Sequence, residues 1–199
     1  MLALLGRANV LADLGRQEDA MRDFNRLVAI APENAQAYLA RAAAFVSFSE
    51  RDEAVADYAM VAGGLQARDP AGMGMRCFAR TMLGRAADGL AGCEEAVREL
   101  PNSTEALMQR GYAFLRLGRL PEARRDFEAV LRRAPTLGSA VYGRGVVRAR
   151  QGEAAAAAAD MAQARRLDPL VERRAAWAWL DFDPGAEGPP PSLPPIQRR

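Results

Sequence analysis

The sequence predicts an all-α fold, a solenoid of stacked helical hairpins, and two observations support this prediction. The first is self-similarity at a fixed period, because periods of about 20–50 residues are typical of repeat architectures. Six residues keep an interval of 34 residues: Pro101, Pro135 and Pro169, and Gly84, Gly118 and Gly152. The second is composition, since 50% of the residues are hydrophobic but only 7% are aromatic. Such a chain suits close packing of helices better than a β-sandwich or a barrel.

The period divides most of the chain into five units. Their ranges are 1–34, 35–69, 70–103, 104–137 and 138–171, with Asp69 as one extra residue before the third. Within a unit, glycine at the fifteenth position supplies the left-handed backbone that ends the first helix, and proline near the end stops the second helix. One hairpin cannot bury its apolar face alone, so we expect stacked neighbours to share a core.

Seven positions of the unit carry a recurring pattern of residue types. The fourth unit shows all seven: Leu107, Gly111, Phe114, Gly118, Ala123, Phe127 and Pro135. This pattern resembles the tetratricopeptide repeat family. The resemblance implies a right-handed superhelical solenoid of five helical hairpins that binds other proteins. The second unit departs from the pattern because Ser49 replaces the turn glycine, and the third because Cys77 and Cys93 occupy two core positions.

Every unit has an arginine at its seventh position, and four units have an aspartate sixteen residues later. We therefore predict structural ion pairs between the two helices of these hairpins, namely Arg7–Asp23, Arg41–Asp57, Arg110–Asp126 and Arg144–Asp160. In the third unit Gly92 stands where the aspartate would be. Arg76 is then expected either to pair with another acid, such as Asp88 or Glu94, or to offer its guanidinium group to a ligand.

The third unit has two further features. Cys77 and Cys93 should face each other across the hairpin, either as buried thiols or as a redox-sensitive disulfide. Four glycines lie within its helices, at positions 72, 74, 89 and 92. Each glycine costs roughly 0.5–1 kcal/mol relative to alanine in a helix, so we expect this unit to be the hinge of the array.

The C-terminal part of the chain follows the last unit. The stretch 169–182 is predicted to be helical, with Asp168 as its N-cap and Pro169 in its first turn, and residues 172–183 are assigned as a capping helix. Three aromatic side chains, Trp177, Trp179 and Phe182, are expected to cover the last repeat, with a dimer contact as the alternative. Residues 184–199 are proline-rich and predict a disordered or polyproline tail, or else a docking peptide for this chain's own groove.

The resemblance also implies where a ligand binds, because the first helices of tetratricopeptide units line a concave groove. Carried over by position, the predicted groove residues are Asn9, Leu39, Val46, Phe78, Met82, Met108, Tyr112, Leu115, Arg116, Tyr142, Val146 and Arg150. Most of them are apolar or aromatic, which favours an apolar peptide or an amphipathic helix as ligand. Leu5 stands where the family's clamp for a terminal carboxylate needs lysine, so we do not expect a chaperone-tail receptor.

These features predict a cytoplasmic, non-enzymatic scaffold or adaptor whose partner is another protein or a peptide. The chain lacks histidine, and we expect no catalytic residue, cofactor or metal site. A net charge of +2 makes nucleic acid an unfavoured partner, and no apolar run is long enough to span a membrane. Three alternatives remain: a docking or regulatory module of a larger enzyme, favoured by the abrupt helical start at Met1; a secretion-type chaperone; and an array that binds nucleic acid through its arginine-rich C-terminal half.

Overall fold

The computed structural model describes residues 1–65 and 69–177, and all regular secondary structure within these ranges is helical. The eleven helices of this part are α1 Leu2–Asp13, α2 Gln17–Ile30, α3 Ala35–Phe48, α4 Arg51–Ala62, α5 Pro70–Met82, α6 Ala86–Glu99, α7 Thr104–Arg116, α8 Leu120–Arg133, α9 Gly138–Arg150, α10 Ala154–Leu167 and α11 Val171–Trp177. The predicted all-α fold is confirmed. None of these helices combines the length and the hydropathy that crossing a membrane requires.

The helices form five consecutive hairpins, α1–α2, α3–α4, α5–α6, α7–α8 and α9–α10. The first helix of each hairpin also packs against the first helix of the next. This arrangement places α1, α3, α5, α7 and α9 side by side along one face of the array. The second helices lie behind them, so the first helices are the ones that can line a groove.

The turn inside each hairpin needs one residue with a left-handed backbone. Glycine supplies it in four hairpins, as the spacing predicts, with φ of 70° at Gly15 and 71° at Gly118, for example. In the second hairpin Ser49 adopts the same conformation, with φ of 67°. Side chains begin three of the first helices: Asn34 accepts hydrogen bonds from the start of α3, Asp69 from α5 and Ser103 from α7. The extra residue Asp69 therefore serves as an N-cap.

The apolar core runs lengthwise through the array. Large side chains of the second helices fill the space between the two helices of a hairpin, and Phe24 and Phe127 are completely buried. Small residues opposite them let the backbones approach: a Cβ added at Gly111 would lie 3.1 Å from the Phe127 ring. Each hairpin thus shares its core with its neighbours, as stacked repeats must.

The third hairpin is held by a disulfide between Cys77 on α5 and Cys93 on α6, whose Cα atoms are 5.5 Å apart. Of the two states that the sequence left open, the structure contains the bonded one. The glycines of this hairpin allow close helix contact: a Cβ on Gly89 would lie 3.0 Å from the Cys77 Cα atom, and one on Gly92 would lie 3.1 Å from the Met73 carbonyl oxygen. Close packing is therefore one physical reason for glycines at these positions.

The last described helix packs against the last hairpin and also reaches the second hairpin. Helix α11 begins at Val171, and it contacts α9 and α3 more extensively than α10. Asp168 accepts a hydrogen bond from the Leu170 backbone, 2.9 Å, at the turn before α11. The chain after Trp177, including Trp179, Phe182 and the predicted tail 184–199, lies outside the described residues, as does the side chain of Trp177.

Candidate functional site

Four Arg–Asp pairs fix the first helix of a hairpin to the second. In each, the arginine Nε and Nη2 atoms both donate to one aspartate, at 2.6–2.9 Å: Arg7–Asp23, Arg41–Asp57, Arg110–Asp126 and Arg144–Asp160. All four aspartate side chains are buried, whereas the Arg7 side chain is 64% exposed. Two parallel hydrogen bonds set the relative position of the helices that carry the groove residues.

These contacts shift the protonation equilibria of the partners. The hydrogen bond from Arg7 lowers the pKa of Asp23 below its usual value, against the opposing effect of burial. Hydrogen bonding to the aspartate partner raises the pKa of Arg41, Arg110 and Arg144. The Asp23 carboxylate and these three guanidinium groups therefore stay charged at neutral pH.

The third and fifth hairpins differ from this scheme. Within the described residues Arg76 forms no ion pair. The two acids that were expected as its partners lie near other arginines: Asp88 pairs with Arg85, and Glu94 lies 3.9 Å from Arg119. The disulfide links α5 and α6 in this hairpin. In the fifth hairpin Arg148 stands at the position that Phe114 has in the fourth, and it donates to Asp160 at 2.8 Å.

The predicted groove residues differ in exposure. Six of the twelve are buried: Val46, Met82, Met108, Leu115, Tyr142 and Val146. Leu39, Phe78, Tyr112 and Arg116 are partly exposed, while Asn9 and Arg150 are exposed. Adjacent first helices pack closely enough that side chains between them become core, so the open groove is narrower than the sequence suggested.

A cavity of about 470 Å³ lies on the concave side of the array. Its walls come from α3, α4, α5, α7, α9, α10 and α11, and they include eight apolar or aromatic side chains from the hairpins: Leu39, Val46, Tyr58, Phe78, Met82, Tyr112, Tyr142 and Leu167. Ala43 also lines this cavity, and it is exposed. Leu115 and Val146 do not line it. We call this space the apolar cavity.

A second cavity of about 280 Å³ adjoins the apolar cavity on the side of helix α1. Leu39, Phe78 and Tyr112 line both cavities. The second also has a set of polar side chains: Asn9, Gln36, Glu105 and Gln109. Both cavities therefore combine a mostly apolar lining with a few polar side chains, which in the apolar cavity include Ser139, Asp168 and Arg174.

Aromatic side chains connect the groove wall to the core. Ring centroids are 6.3 Å apart for Tyr58 and Phe78, 5.9 Å for Phe78 and Tyr112, and 5.5 Å for Tyr112 and Phe127. Burial raises the pKa of Tyr58 and Tyr112 far above the usual value, so both phenols stay neutral. Tyr58 belongs to a second helix and was missed by the sequence, because its position in the unit is a core position.

The two predicted groove arginines lie apart from these cavities. Arg116 and Arg150 line a separate depression at the hairpin turns, together with Gly84 and Gly118. Burial and the neighbouring charge of Arg150 lower the pKa of Arg116. The Arg150 guanidinium group donates to the Leu115 carbonyl, 3.1 Å. The basic pair therefore marks the edge of the concave face.

Helix α11 crosses the concave face beside the apolar cavity. Arg174 donates to Asp168 at 2.9 Å, to the Ser47 hydroxyl at 3.4 Å and to the Asp13 carboxylate. Asp13 ends α1, so this contact joins the last described helix to the first hairpin. No local sequence signal indicates a contact between residues that are 161 positions apart.

The chain resembles proteins of known structure. Two solved structures similar to it are TTC0263, a thermophilic TPR protein of Thermus thermophilus, and YrrB, a TPR protein described as having an unusual peptide-binding site. The first shares 19% identity over 91% of this chain and 98% of its own, with a TM-score of 0.62. The second shares 23% identity over 86% of this chain and 88% of its own, with a TM-score of 0.49. A search of curated proteins gave no match.

Family models give a direct assignment. One model described as tetratricopeptide repeat matches residues 81–137 and 108–172, and a second with the same description matches residues 2–34. Together these ranges cover more than half of the chain, including the first, fourth and fifth hairpins and helix α6 of the third. The chain therefore belongs to the tetratricopeptide repeat family.

Proposed function

We propose that this protein is a non-catalytic scaffold that holds a segment of another protein against its concave face. The observation that carries the proposal is the apolar cavity, which the first helices of four hairpins line together. Tetratricopeptide arrays generally act as protein-binding scaffolds rather than catalysts, and this family membership supports the proposal.

The shape and chemistry of the cavity favour one kind of ligand. The walls of both cavities are mostly apolar and aromatic, with a few polar side chains among them, so an amphipathic helix or an apolar peptide fits best. Met82 and Met108 add adaptable side chains to the two cavities, because thioethers repack at little cost.

The test needs a variant that blocks the cavity without damaging the core. Tyr142 is buried and Tyr112 packs on Phe127, so truncating either would also disturb the fold. Ala43 is exposed and lines the cavity, and Ala43→Trp would place an indole in the space that a ligand needs. Ala56→Trp is the matched control, since Ala56 is exposed on α4 and lines neither cavity.

Peptides would first be selected from a displayed random library on the full chain, and their affinities then measured for the wild type and both variants. We expect Ala43→Trp to weaken binding at least about tenfold, which corresponds to 1.4 kcal/mol, and Ala56→Trp to leave it unchanged. Equal binding by all three chains would move the binding surface away from the concave face.

A further inference from the structure

Helix α11 covers part of the groove with a short apolar stripe. Val171 and Ala175 are one helical turn apart, only 3% and 5% exposed, and both line the apolar cavity. The helix contacts α9 in the last hairpin and α3 in the second, so it bridges two walls of the concave face. This position is the one that a bound amphipathic helix would take.

A charge fixes the orientation of this helix. Arg174 lies between Val171 and Ala175 in the sequence, and its guanidinium group reaches Asp13 at the end of α1, Asp168 before α11 and the Ser47 hydroxyl on α3. Asp13 and Ser47 belong to the first and second hairpins. The groove therefore offers α11 an acid and a hydroxyl at one side of an apolar wall.

The closed arrangement is weakly held. Arg174 and Asp13 are 36% and 59% exposed, and exposed ion pairs contribute little to stability. The two buried side chains of α11 are small, and the cavity beside them keeps a volume of about 470 Å³. A longer helix with larger apolar residues would bury more surface on the same wall.

We propose that α11 is an internal ligand of the concave groove, and that the external partner is an amphipathic helix of the same pattern that competes with it. Such a helix carries apolar residues one turn apart and an arginine that meets Asp13. This inference rests on the proposed function and specifies the partner class and the regulation of that site.

The first experiment measures binding of a labelled synthetic peptide that copies residues 168–183 to the full chain. In Arg174→Glu, repulsion between the new glutamate and Asp13 should release α11, so we expect this variant to bind the peptide at least about tenfold more tightly than the wild type. Arg166→Glu is the matched control, because it makes the same charge change on the exposed surface of α10 and should bind like the wild type.

A charge exchange tests the orientation. The Asp13→Arg chain should prefer a peptide with glutamate at the position of Arg174, whereas Arg174→Glu should prefer the unaltered peptide.

Amide exchange in α11 supplies a readout that needs no peptide, and it should be faster in Arg174→Glu than in the wild type and the Arg166→Glu control.

Equal affinity of the wild type and Arg174→Glu for the peptide, or binding by neither, would overturn the inference, as would unchanged exchange in α11. The groove itself is tested separately by the library peptides and Ala43→Trp. If those peptides bind through Ala43 but do not distinguish the wild type from Arg174→Glu, the proposed function stands and the internal ligand is rejected.

Discussion

At the residue scale, the Arg–Asp pairs show what spacing alone can predict. The partners are sixteen residues apart in every case and belong to the same hairpin, so one local geometry recurs. The sequence does not reveal how deeply each pair lies, because burial depends on neighbouring hairpins. Arg7 lies in the first hairpin, which has a neighbouring hairpin on one side, and the Arg7 side chain is exposed. Arg110 lies in the fourth hairpin, which has a neighbour on both sides, and the Arg110 side chain is mostly buried.

Removing one partner of a buried pair should be costly. We expect Asp126→Ala to destabilise the protein by about 3–5 kcal/mol, because it leaves the Arg110 charge buried without its carboxylate. The double variant Arg110→Met/Asp126→Leu should recover most of that loss, since apolar side chains of similar volume avoid the desolvation cost. Thermal unfolding followed by circular dichroism measures both effects.

The exposed pair Arg85–Asp88 provides the control for this prediction. Asp88→Ala should change stability by less than about 1 kcal/mol, because solvent screens such a pair. A similar loss for Asp88→Ala and Asp126→Ala would contradict the distinction between buried and exposed pairs.

The lowered pKa of Asp23 predicts a specific response to acid. A carboxylate whose pKa is lower in the folded state contributes stability above its unfolded pKa, near 3.8, and this contribution disappears as the pH falls through the folded value. Asp23→Asn should therefore be less stable than the wild type at neutral pH, and the difference should shrink below about pH 4. Melting curves at several pH values measure it, and a constant difference would argue against the shift.

The turn at Ser49 is a position where the residue conflicts with the conformation. A left-handed backbone costs a residue with a Cβ atom about 1–2 kcal/mol of stability. Glycine avoids this cost, but it also gives the unfolded chain more conformational entropy, which offsets part of the gain. Ser49→Gly should thus raise the stability by up to about 1 kcal/mol, and Gly118→Ser should lower it by a similar amount. Denaturation midpoints would show opposite shifts, and a loss of stability in both variants would exclude the explanation.

At the element scale, the third hairpin has glycine contacts that the sequence alone could not predict. Its glycines favoured a hinge because glycine weakens an isolated helix, yet Gly74 makes room for Gln109, and Gly89 makes room for the Cys77 backbone. Contacts of this kind depend on which residue of another helix faces the glycine, and no spacing reveals that. Whether this hairpin is also the most mobile stays a prediction, which amide exchange can measure.

The Cys77–Cys93 bond should stabilise this hairpin. A disulfide that closes a loop of this length contributes about 3 kcal/mol, so reduction should lower the melting temperature clearly. The Cys77→Ser/Cys93→Ser variant should have the same melting temperature with and without reductant, below that of the oxidised wild type, because it has no disulfide to lose. Equal melting of the oxidised and reduced wild type would show that the bond is dispensable.

The same bond tests the expected cytoplasmic location. Disulfides are rare in the reducing cytoplasm and persist in oxidising compartments. If the protein works in the cytoplasm, rapid alkylation of cell lysates should find both thiols reduced. Oxidised cysteines in freshly lysed cells would instead favour an oxidising compartment.

At the scale of the whole molecule, the stacking of hairpins was predictable and the content of the groove was not. The period fixes which helices are neighbours, but the curvature is the sum of small rotations between hairpins. That curvature brings Asp13 and Arg174 together and decides that Val46 and Met82 are buried while Ala43 is open. The same curvature brings Tyr58, which belongs to a second helix, to the wall of the apolar cavity.

We propose above that the concave face binds a segment of another protein. The most direct measurement is a titration of isotope-labelled full-length protein with a library-selected peptide, followed by amide chemical shifts. We expect the largest changes in the first helices, around Ala43, Phe78 and Tyr112, and small changes on the outer sides of α4, α6 and α8. Changes concentrated on those outer sides, with the first helices unaffected, would contradict it.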